Sequence, residues 1–334
     1  GMWQAFSPVA ALLTSRAFEV EEDAAADFEE QYGSTRLTQS QLWLQVSTLT
    51  FMQFLPHGEG TCQYPNGDRY QGMFAHGERS GQGKLADARG DRYEGSWCND
   101  MLNGINTCDT SDGDSFFGEY VGNRRCGRGR CEFASEDTYE GEWDHDVRHG
   151  KGNCTYADGS VYSGVWRDDV RSVTGHLLSV DGTEYDGAWH NNSQHGKGIQ
   201  TFPEGHRYEG QWMCGKKCGR GFLNFACGDS FNGQFTDDFR DGTGRYTYLD
   251  GSFYDGQWKL SRRCGKGQMV DVSSYDKAAN TGKVTYEGDW KDDDRHGAGE
   301  FVDADGYGKK HDYLQSAARL LPAGGVVCAS FTTM

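Results

Sequence analysis

Proline, aliphatic residues and positive charge are all scarce in this sequence. Only 5 of its 334 residues are proline, and a hydrophobic fraction of 36% with a mean hydropathy of −0.78 is low for a deep aliphatic core. The net charge of −17 lacks the positive footprint that nucleic-acid binding requires. No stretch approaches the roughly 18 apolar residues of a membrane-spanning helix. These absences argue against a broad nucleic-acid interface and against a helical membrane span.

Markers of secretion are also missing. The 11 cysteine residues show no spacing typical of a disulfide framework, and residues 2–13 lack the basic start of a signal peptide. We therefore expect free thiols in a reducing cytoplasm. Aromatic residues nevertheless reach 13%, too many for a disordered chain, and 48 residues are glycine. This composition favours a fold that buries rings locally, one layer at a time.

A repeat of 23 residues organises the aromatic residues. Each copy opens with an aromatic residue, here called the first ring, at Tyr70, Tyr93, Phe116, Tyr139, Tyr162, Tyr185, Tyr208, Phe231, Tyr254 and, after a nine-residue insertion near 274–282, Tyr286. Two residues later every copy has glycine. Four residues after its first ring, every copy has a second ring, at Phe74, Trp97, Tyr120, Trp143, Trp166, Trp189, Trp212, Phe235, Trp258 and Trp290. An earlier, degenerate copy with Phe51 as its ring brings the number of copies to eleven.

A Gly-x-Gly pair follows the second ring in most copies, as at Gly150 and Gly152. One copy has Asn106 in place of the second glycine, and another has Val173 in place of the first. Because ring, glycine and ring at two-residue spacing share one side only in a β-strand, each copy is predicted to be a β-hairpin. A glycine on the facing strand would leave the space that a ring needs.

Successive hairpins are expected to pair into an all-β, elongated, single-layer antiparallel meander of about ten to eleven repeats. With strands ~4.8 Å apart, ten repeats would extend over roughly 95 Å. Asn-Gly and Asp-Gly pairs, such as Asp112-Gly113, predict the tight hairpin turns. The other connection, such as 144–149, is expected to be a longer polar loop.

The repeat array is predicted to occupy residues 47–306, about four-fifths of the chain. Residues 1–46 are rich in alanine and glutamate and are predicted to be a partly helical or capping N-terminal segment. Residues 307–334 are predicted to be a tail with a short helix. Neither flank is long enough for an added catalytic domain.

The array resembles the MORN repeat (membrane occupation and recognition nexus) in its Tyr-Glu-Gly-Glu-Trp at 139–143 and its His-Gly-Lys-Gly at 149–152. The resemblance implies a rigid, non-catalytic scaffold or tether at membrane and cytoskeletal sites. It also implies binding of partner peptides or phosphoinositides, and dimers formed through terminal repeats. The sequence itself has no Gly-x-Ser-x-Gly, P-loop or zincin motif, so no enzyme activity, catalytic residue or cofactor is predicted.

The central rings are predicted to line a groove for a partner protein segment. A helical or extended segment, apolar on one face with basic flanks, would match the rings and the acidic residues next to them. The predicted groove consists of Tyr139, Trp143, Tyr162, Trp166, Tyr185, Trp189, Tyr208, Trp212, Glu140, Asp186 and Glu209. The alternative is that these rings only pack against cross-strand glycines.

A second hypothesis is an adaptor that binds anionic phospholipid through a basic loop edge. The residues proposed for this edge are Arg79, Arg125, Arg148, Lys151, Arg171, Lys217, Arg220, Arg240 and Arg263. Acidic residues such as Asp292, Asp293 and Asp294 share these loops, so a self-neutralised, solvated rim is the alternative.

A metal site within one chain is not predicted. Histidine or cysteine precedes Gly-x-Gly in seven copies, but neighbours in this column would lie ~9.6 Å apart, too far to share a zinc ion with bonds of ~2.0–2.3 Å. A second cysteine column, on the ring side, is predicted to be buried: Cys62, Cys108, Cys131 and Cys154.

Assembly and location follow from the same pattern. The last repeat would leave an unpaired strand edge, so an antiparallel homodimer through 254–306 is expected. We expect a cytoplasmic protein associated with the cytoskeleton or a membrane, with a protein partner, a possible phospholipid ligand and no nucleic acid.

Overall fold

A computed structural model describes residues 55–272, 284–302 and 308–313. Within these ranges the chain forms 22 β-strands and no helix. None of the described segments is therefore a helix that is long and apolar enough to cross a membrane. The chain divides into two compact units, Gly1–Ala157 and Asp158–Met334.

The first unit contains nine strands that form an antiparallel meander, because each strand pairs with the next along the chain. The strands are β1 (Gly58–Gln63), β2 (Arg69–Ala75), β3 (Glu78–Ala86), β4 (Arg92–Cys98), β5 (Met101–Asp109), β6 (Ser115–Val121), β7 (Arg124–Glu132), β8 (Thr138–Asp144) and β9 (Val147–Thr155).

The second unit contains thirteen strands paired in the same sequential way. They are β10 (Val161–Arg167), β11 (Val170–Leu178), β12 (Glu184–His190), β13 (Ser193–Thr201), β14 (Arg207–Met213), β15 (Lys216–Asn224), β16 (Ser230–Thr236), β17 (Phe239–Thr247), β18 (Phe253–Lys259), β19 (Arg262–Asp271), β20 (Val284–Lys291), β21 (Asp294–Val302) and β22 (Gly308–Tyr313). The predicted all-β antiparallel meander is confirmed within each unit.

The two kinds of connection are the reverse of those predicted. The tight two-residue turns lie where longer loops were expected, as at His145-Asp146, whose φ angles are +48° and +73°. A type I′ turn needs two left-handed residues, and Asn, Asp and His tolerate that conformation better than most residues. The Asp112-Gly113 pair instead lies in the five-residue loop 110–114, closed by a hydrogen bond from Thr110 N to Asp114 O of 2.8 Å.

The first glycine of Gly-x-Gly makes a bulge in the second strand of the hairpin. Gly150 has φ +61°, and the register between β8 and β9 shifts next to it, between Gly141 and Glu142. A left-handed residue in a bulge is usually glycine because it has no Cβ. In β11 the same place is taken by Val173 at φ +60°, so this copy holds a β-branched residue in a strained conformation.

Side chains alternate between two faces of each sheet, here called the ring face and the outer face. In β6 the burial alternates residue by residue: Phe116, Gly118 and Tyr120 are buried on the ring face, while Phe117 and Glu119 are exposed on the outer face. The ring face therefore carries the core of each unit, as the two-residue spacing predicted.

The core is a ladder of rings seated on glycines, shown here for the copy that begins at Tyr185. A Cβ on Gly198 would overlap the Tyr185 ring, so this ring lies directly over the glycine backbone. Its hydroxyl donates to the Ala188 carbonyl at 2.9 Å. Edge-to-face contacts with Trp189 and Trp212 join the ring to its own copy and to the next, with centroids 5.2 and 5.3 Å apart. The predicted pairing of rings with cross-strand glycines is thus confirmed.

The copy that begins at Tyr93 departs from this ladder because of Asn106. This amide side chain occupies the place of the second glycine and is only 1% exposed. Tyr93 cannot lie over it, so the ring is half-buried and its hydroxyl lies 3.5 Å from the Asp91 carboxylate. The facing Gly95 adopts φ +146°. One side-chain substitution therefore displaces the first ring of this copy.

Some predicted features lie outside the described residues. These are the N-terminal segment before residue 55, including Phe51, the insertion near 274–282, and most of the predicted tail helix. In the part of the tail that the structure describes, 308–313 form strand β22, which pairs with β21. The last strand of the last repeat is therefore not the unpaired edge that was expected.

Candidate protein-binding surface

The eight rings of the predicted groove are buried. Their side chains are between 0% and 5% exposed: Tyr139, Trp143, Tyr162, Trp166, Tyr185, Trp189, Tyr208 and Trp212. In each unit they contact glycine backbone and one another, as the copy at Tyr208 illustrates with its hydroxyl bonded to the Gln211 carbonyl at 3.0 Å. These rings leave little surface for a partner, and their role in binding stays a prediction.

The three acidic residues of the predicted groove lie on the outer face, away from the rings. Glu140 immediately follows a buried first ring, so its side chain points to the opposite side of the sheet. Glu209 makes an ion pair there with Arg207 at 2.9 Å, and Asp186 is exposed opposite Ile199. The structure therefore does not bring the rings and the acids together on one surface.

Most of the proposed lipid-binding residues contact the ring ladder instead of solvent. The Arg125 guanidinium stacks 4.4 Å from the Trp143 ring centroid and donates to the Asp146 carbonyl at 2.9 Å. The Asp146 carboxylate in turn accepts the Arg125 backbone N–H at 2.8 Å. Stacking or ring contacts of this kind are seen for Arg79, Arg125, Arg148, Arg171, Lys217, Arg240 and Arg263.

Within each unit, this column of bases joins several turns to the preceding copy. Arg79 pairs with Asp100 at 3.1 Å and its side chain is only 19% exposed. Burial lowers the pKa of Lys217 and of Arg240, opposed in Lys217 by the nearby Asp238 carboxylate. These cations therefore stabilise the packing between neighbouring copies. A membrane-binding role for them stays a prediction, as it does for Lys151 and Arg220, which are exposed on the outer face.

The accessible part of the ring face is a third column of rings just after the second strand of six hairpins. Its members are half-buried: Tyr64, Phe133, Tyr156, Phe202, Phe225 and Tyr248. The two-residue alternation of the sequence places them on the ring side, but the groove prediction did not include them. The signal that could have found them is their position four residues after the second glycine, on the ring side.

In the second unit these rings form a connected strip, here called the third-ring strip: Phe202, His206, Phe225, Tyr246 and Tyr248. Neighbouring members lie between 4.8 and 6.5 Å apart, centroid to centroid. The Tyr246 hydroxyl donates to the Asp229 carboxylate at 2.5 Å, and burial is the main reason that its pKa is raised. The strip is therefore a fixed, partly exposed aromatic surface on the ring face.

Two cations lie beside the third-ring strip. The Lys217 ammonium is 5.3 Å from the Phe202 ring centroid, and the Arg240 guanidinium is 5.4 Å from that of Tyr246. A cation over the face of an aromatic ring is attracted by the negative π-electron density of that face. The strip therefore combines partly exposed rings with two nearby positive charges.

The predicted ring-side cysteines lie where the spacing placed them. Cys131 and Cys154 are fully buried, Cys108 is 7% exposed, and Cys62 is half-buried. Burial raises the pKa of the Cys131 thiol to about 11. Among the residues that the structure describes, no three His, Cys, Asp or Glu side chains are grouped closely enough to hold a metal ion.

The repeat pattern identifies the family. The MORN repeat matches ten segments, at 55–69, 70–92, 116–138, 139–161, 162–184, 185–207, 208–230, 231–253, 254–273 and 286–306, about two thirds of the chain. The chain belongs to the MORN repeat family. The unmatched copy, 93–115, is the MORN copy in which Asn106 displaces Tyr93. Among curated proteins, none matches the sequence.

Solved structures with a detectable likeness include two domains that bind peptides. The TCP10 domain of Danio rerio CPAP, in complex with a peptide of Danio rerio STIL, is 11% identical with a TM-score of 0.37, over 76% of this chain and 99% of that one. The TCP domain of Drosophila melanogaster SAS-4, in complex with a proline-rich motif of Ana2, is 12% identical with a TM-score of 0.21, over 69% and 89%. At these TM-scores and identities the likeness does not extend their peptide binding to this MORN protein.

Proposed function

We propose that this MORN array is a non-catalytic scaffold that binds a segment of a partner protein along its ring face. The observation that carries the proposal is the third-ring strip. It is aromatic, half-exposed and mounted on a sealed ladder of rings that holds it in place. Rigid aromatic side chains of this kind supply most of the binding energy in many protein interfaces.

The chemistry of the strip favours a particular partner segment. Apolar or aromatic side chains would pack on Phe202, Phe225 and Tyr248. Acidic flanks would be attracted by the charges of Lys217 and Arg240 without displacing the ring and turn contacts of these two side chains. Basic flanks were expected from Glu140, Asp186 and Glu209, but those acids lie on the outer face. A helical or an extended segment would both present side chains at a spacing that suits this surface.

The finer parts of the hypothesis remain proposals. We propose a cytoplasmic location at a junction of cytoskeleton and membrane, which rests on the family resemblance. We also propose a homodimer through the C-terminal repeats. Because β22 pairs with β21, the strand that would meet the second copy in this proposal is β22. The array boundaries at 47 and 306 and the two flanking segments are proposed on the sequence pattern alone.

A phospholipid-binding adaptor is less well supported than a protein scaffold. The basic side chains that would hold lipid head groups are mainly stacked on rings and bonded to the next turn, as Arg263 is to Asp293 at 3.2 Å. Binding a head group would break these contacts. Exposed, unstacked cations such as Lys151 would have to carry the lipid interaction.

A peptide selection tests the proposal. The full chain is immobilised, a random peptide library is selected on it, and the affinity of each enriched peptide is measured by fluorescence anisotropy. We expect peptides rich in aromatic and acidic residues, whose Kd rises at least tenfold in Phe202→Ala and Phe225→Ala. Removing one ring contact corresponds to about 1.5–3 kcal/mol, and tenfold in Kd corresponds to about 1.4 kcal/mol.

Phe222→Ala is the matched control. Phe222 lies in β15, three residues before Phe225, but on the outer face, where it is 37% exposed. Its substitution should leave the affinity within about twofold, and all three variants should retain the melting temperature within a few degrees. Failure to enrich any peptide, or an equal loss of affinity in Phe222→Ala, would contradict binding at the ring face.

A further inference from the structure

The outer face of the first unit carries an apolar patch at positions where most other copies are polar. Ile105 in β5 lies opposite Glu119 in β6, so Phe117 and Val121 are its diagonal neighbours, ~7–8 Å away. Ile105 is 50% exposed, Phe117 58% and Val121 60%. In all other copies that have a first ring, the residue after that ring, equivalent to Phe117, is polar or charged. The patch is therefore a local specialisation of the repeat.

A strand of arginines borders this patch. Phe117 lies opposite Arg130 and Val121 lies opposite Arg124, both in β7, and Arg128 lies on the outer face between them. Arg130 pairs with Glu132 at 2.8 Å. Within the described ranges no hydrogen bond or ion pair engages the guanidinium of Arg124 or of Arg128. Two guanidiniums without an ion pair therefore lie next to exposed apolar groups, with Arg128 opposite Glu142 of β8.

One segment of the chain has the complementary composition. Residues 17–31, AFEVEEDAAADFEEQ, contain seven acidic residues, no lysine or arginine, and the apolar side chains of Phe18, Val20 and Phe28. Opposite charge across a surface both favours association and disfavours unrelated partners. Phenylalanine and valine side chains among the acids would match the apolar centre of the patch.

The chain is long enough for this segment to reach the patch. Residues 32–54 link it to the first described residue, and at ~3.3 Å per residue they can extend over roughly 75 Å. The distance from β1 to β6 is five strand spacings, or about 24 Å. A connection of this length also keeps the effective concentration of the segment high.

We propose that residues 17–31 of this chain dock on the patch formed by Ile105, Phe117 and Val121, with Arg124, Arg128 and Arg130 holding the acidic side chains. This interaction lies on the outer face, so it is separate from the partner surface proposed on the ring face.

Site-specific photocrosslinking in the full chain tests the proposal. Phe117 is replaced by p-benzoylphenylalanine, the protein is irradiated, and crosslinked peptides are identified by mass spectrometry. We expect crosslinks within one chain from position 117 to residues 17–31. Their yield should be at least five times that obtained with the same replacement at Phe222, an exposed outer-face ring in β15.

Two perturbations separate docking from chance proximity. Neutralising the segment with Glu21→Gln, Glu22→Gln and Asp23→Asn, or raising the salt to 1 M, should lower the crosslink yield at least threefold because the attraction is electrostatic. Three results would overturn the proposal: no enrichment over the Phe222 position, crosslinks to other parts of the chain, or a product of twice the mass, which would assign the patch to a second copy.

Discussion

A single methyl group added at Gly152 tests how tightly the ring ladder is packed. A Cβ at this position would lie closer than 3.0 Å to three atoms of the Tyr139 ring, and these atoms belong to a ring held on both sides. In Gly152→Ala the ring must therefore leave its seat. It would lose the hydrogen bond from its hydroxyl to the Glu142 carbonyl, 2.9 Å long, and its edge-to-face contact with Trp143.

The expected destabilisation is about 3–5 kcal/mol. A lost hydrogen bond contributes about 1 kcal/mol, a lost aromatic contact about 0.5–1.5 kcal/mol, and exposure of a fully buried ring about 1.5–3 kcal/mol. The matched control is Gly60→Ala, at the equivalent place in β1. Among the described residues, the nearest atom to a Cβ there would be one of Phe74, at 3.5 Å, which is an ordinary contact.

Urea unfolding followed by tryptophan fluorescence would measure the free energy of unfolding of Gly152→Ala and of Gly60→Ala. Because repeat arrays can unfold in parts, amide hydrogen exchange of β8 and β9 would show whether the loss is local. Gly60→Ala should change stability by less than about 1 kcal/mol. If Gly152→Ala were no more destabilised than Gly60→Ala, the ring would not be seated on the glycine and the proposed core would be refuted.

Three further predictions concern single positions. Asn106→Gly should raise the free energy of unfolding by about 2 kcal/mol, because a buried amide is removed and the Tyr93 ring can then pack over the glycine backbone. Urea unfolding would measure this change, and an unchanged or lower free energy of unfolding would contradict the prediction. At pH 8 the Cys131 thiol, with its pKa raised to about 11, should be alkylated at least a hundredfold more slowly than the exposed Cys214. Peptide mass spectrometry would measure the two alkylation rates, and equal rates would disprove the burial of Cys131. Hydrogen bonds from a neighbouring loop lower the pKa of Asp91, so its stabilisation is present above the unfolded pKa of ~3.9 and is lost as the pH falls through the folded value. Asp91→Asn should therefore be less stable than the wild type at pH 7, and the difference should shrink as the pH falls below ~3.9. A difference that stays constant as the pH falls would contradict the mechanism.

The sequence predicted the fold well because the repeat signal is local. Ring and glycine spacing determines which side chains share a face, and this holds in every copy that the structure describes. The turns were harder to assign. Asp112-Gly113 is a strong hairpin signal, yet the paired left-handed residues at 145–146 form the tighter turn, because two adjacent Asn, Asp or His residues can meet the same backbone demand as Asn-Gly.

The candidate site was harder to predict than the fold. Burial of Trp143 depends on its contact with Phe116 and with Arg125, both in the preceding copy. Such contacts cannot be read from one repeat. The bases of the loop edge likewise looked solvent-exposed until the neighbouring turn was placed against them. Third-column rings such as Phe225 were visible in the sequence, but only the structure distinguishes them from the sealed rings.

Hydroxyl-radical footprinting of the full chain with a selected peptide tests the central claim most directly, because it reports the exposure of individual side chains. In the free protein, Phe202 and Phe225 should be oxidised while Tyr208 and Trp212 are protected. Addition of peptide should protect Phe202 and Phe225 and leave the outer-face Phe222 unchanged. Oxidation of Tyr208 and Trp212 in the free protein, or protection of Phe222 alone by the peptide, would contradict a sealed ladder with its binding surface on the ring face.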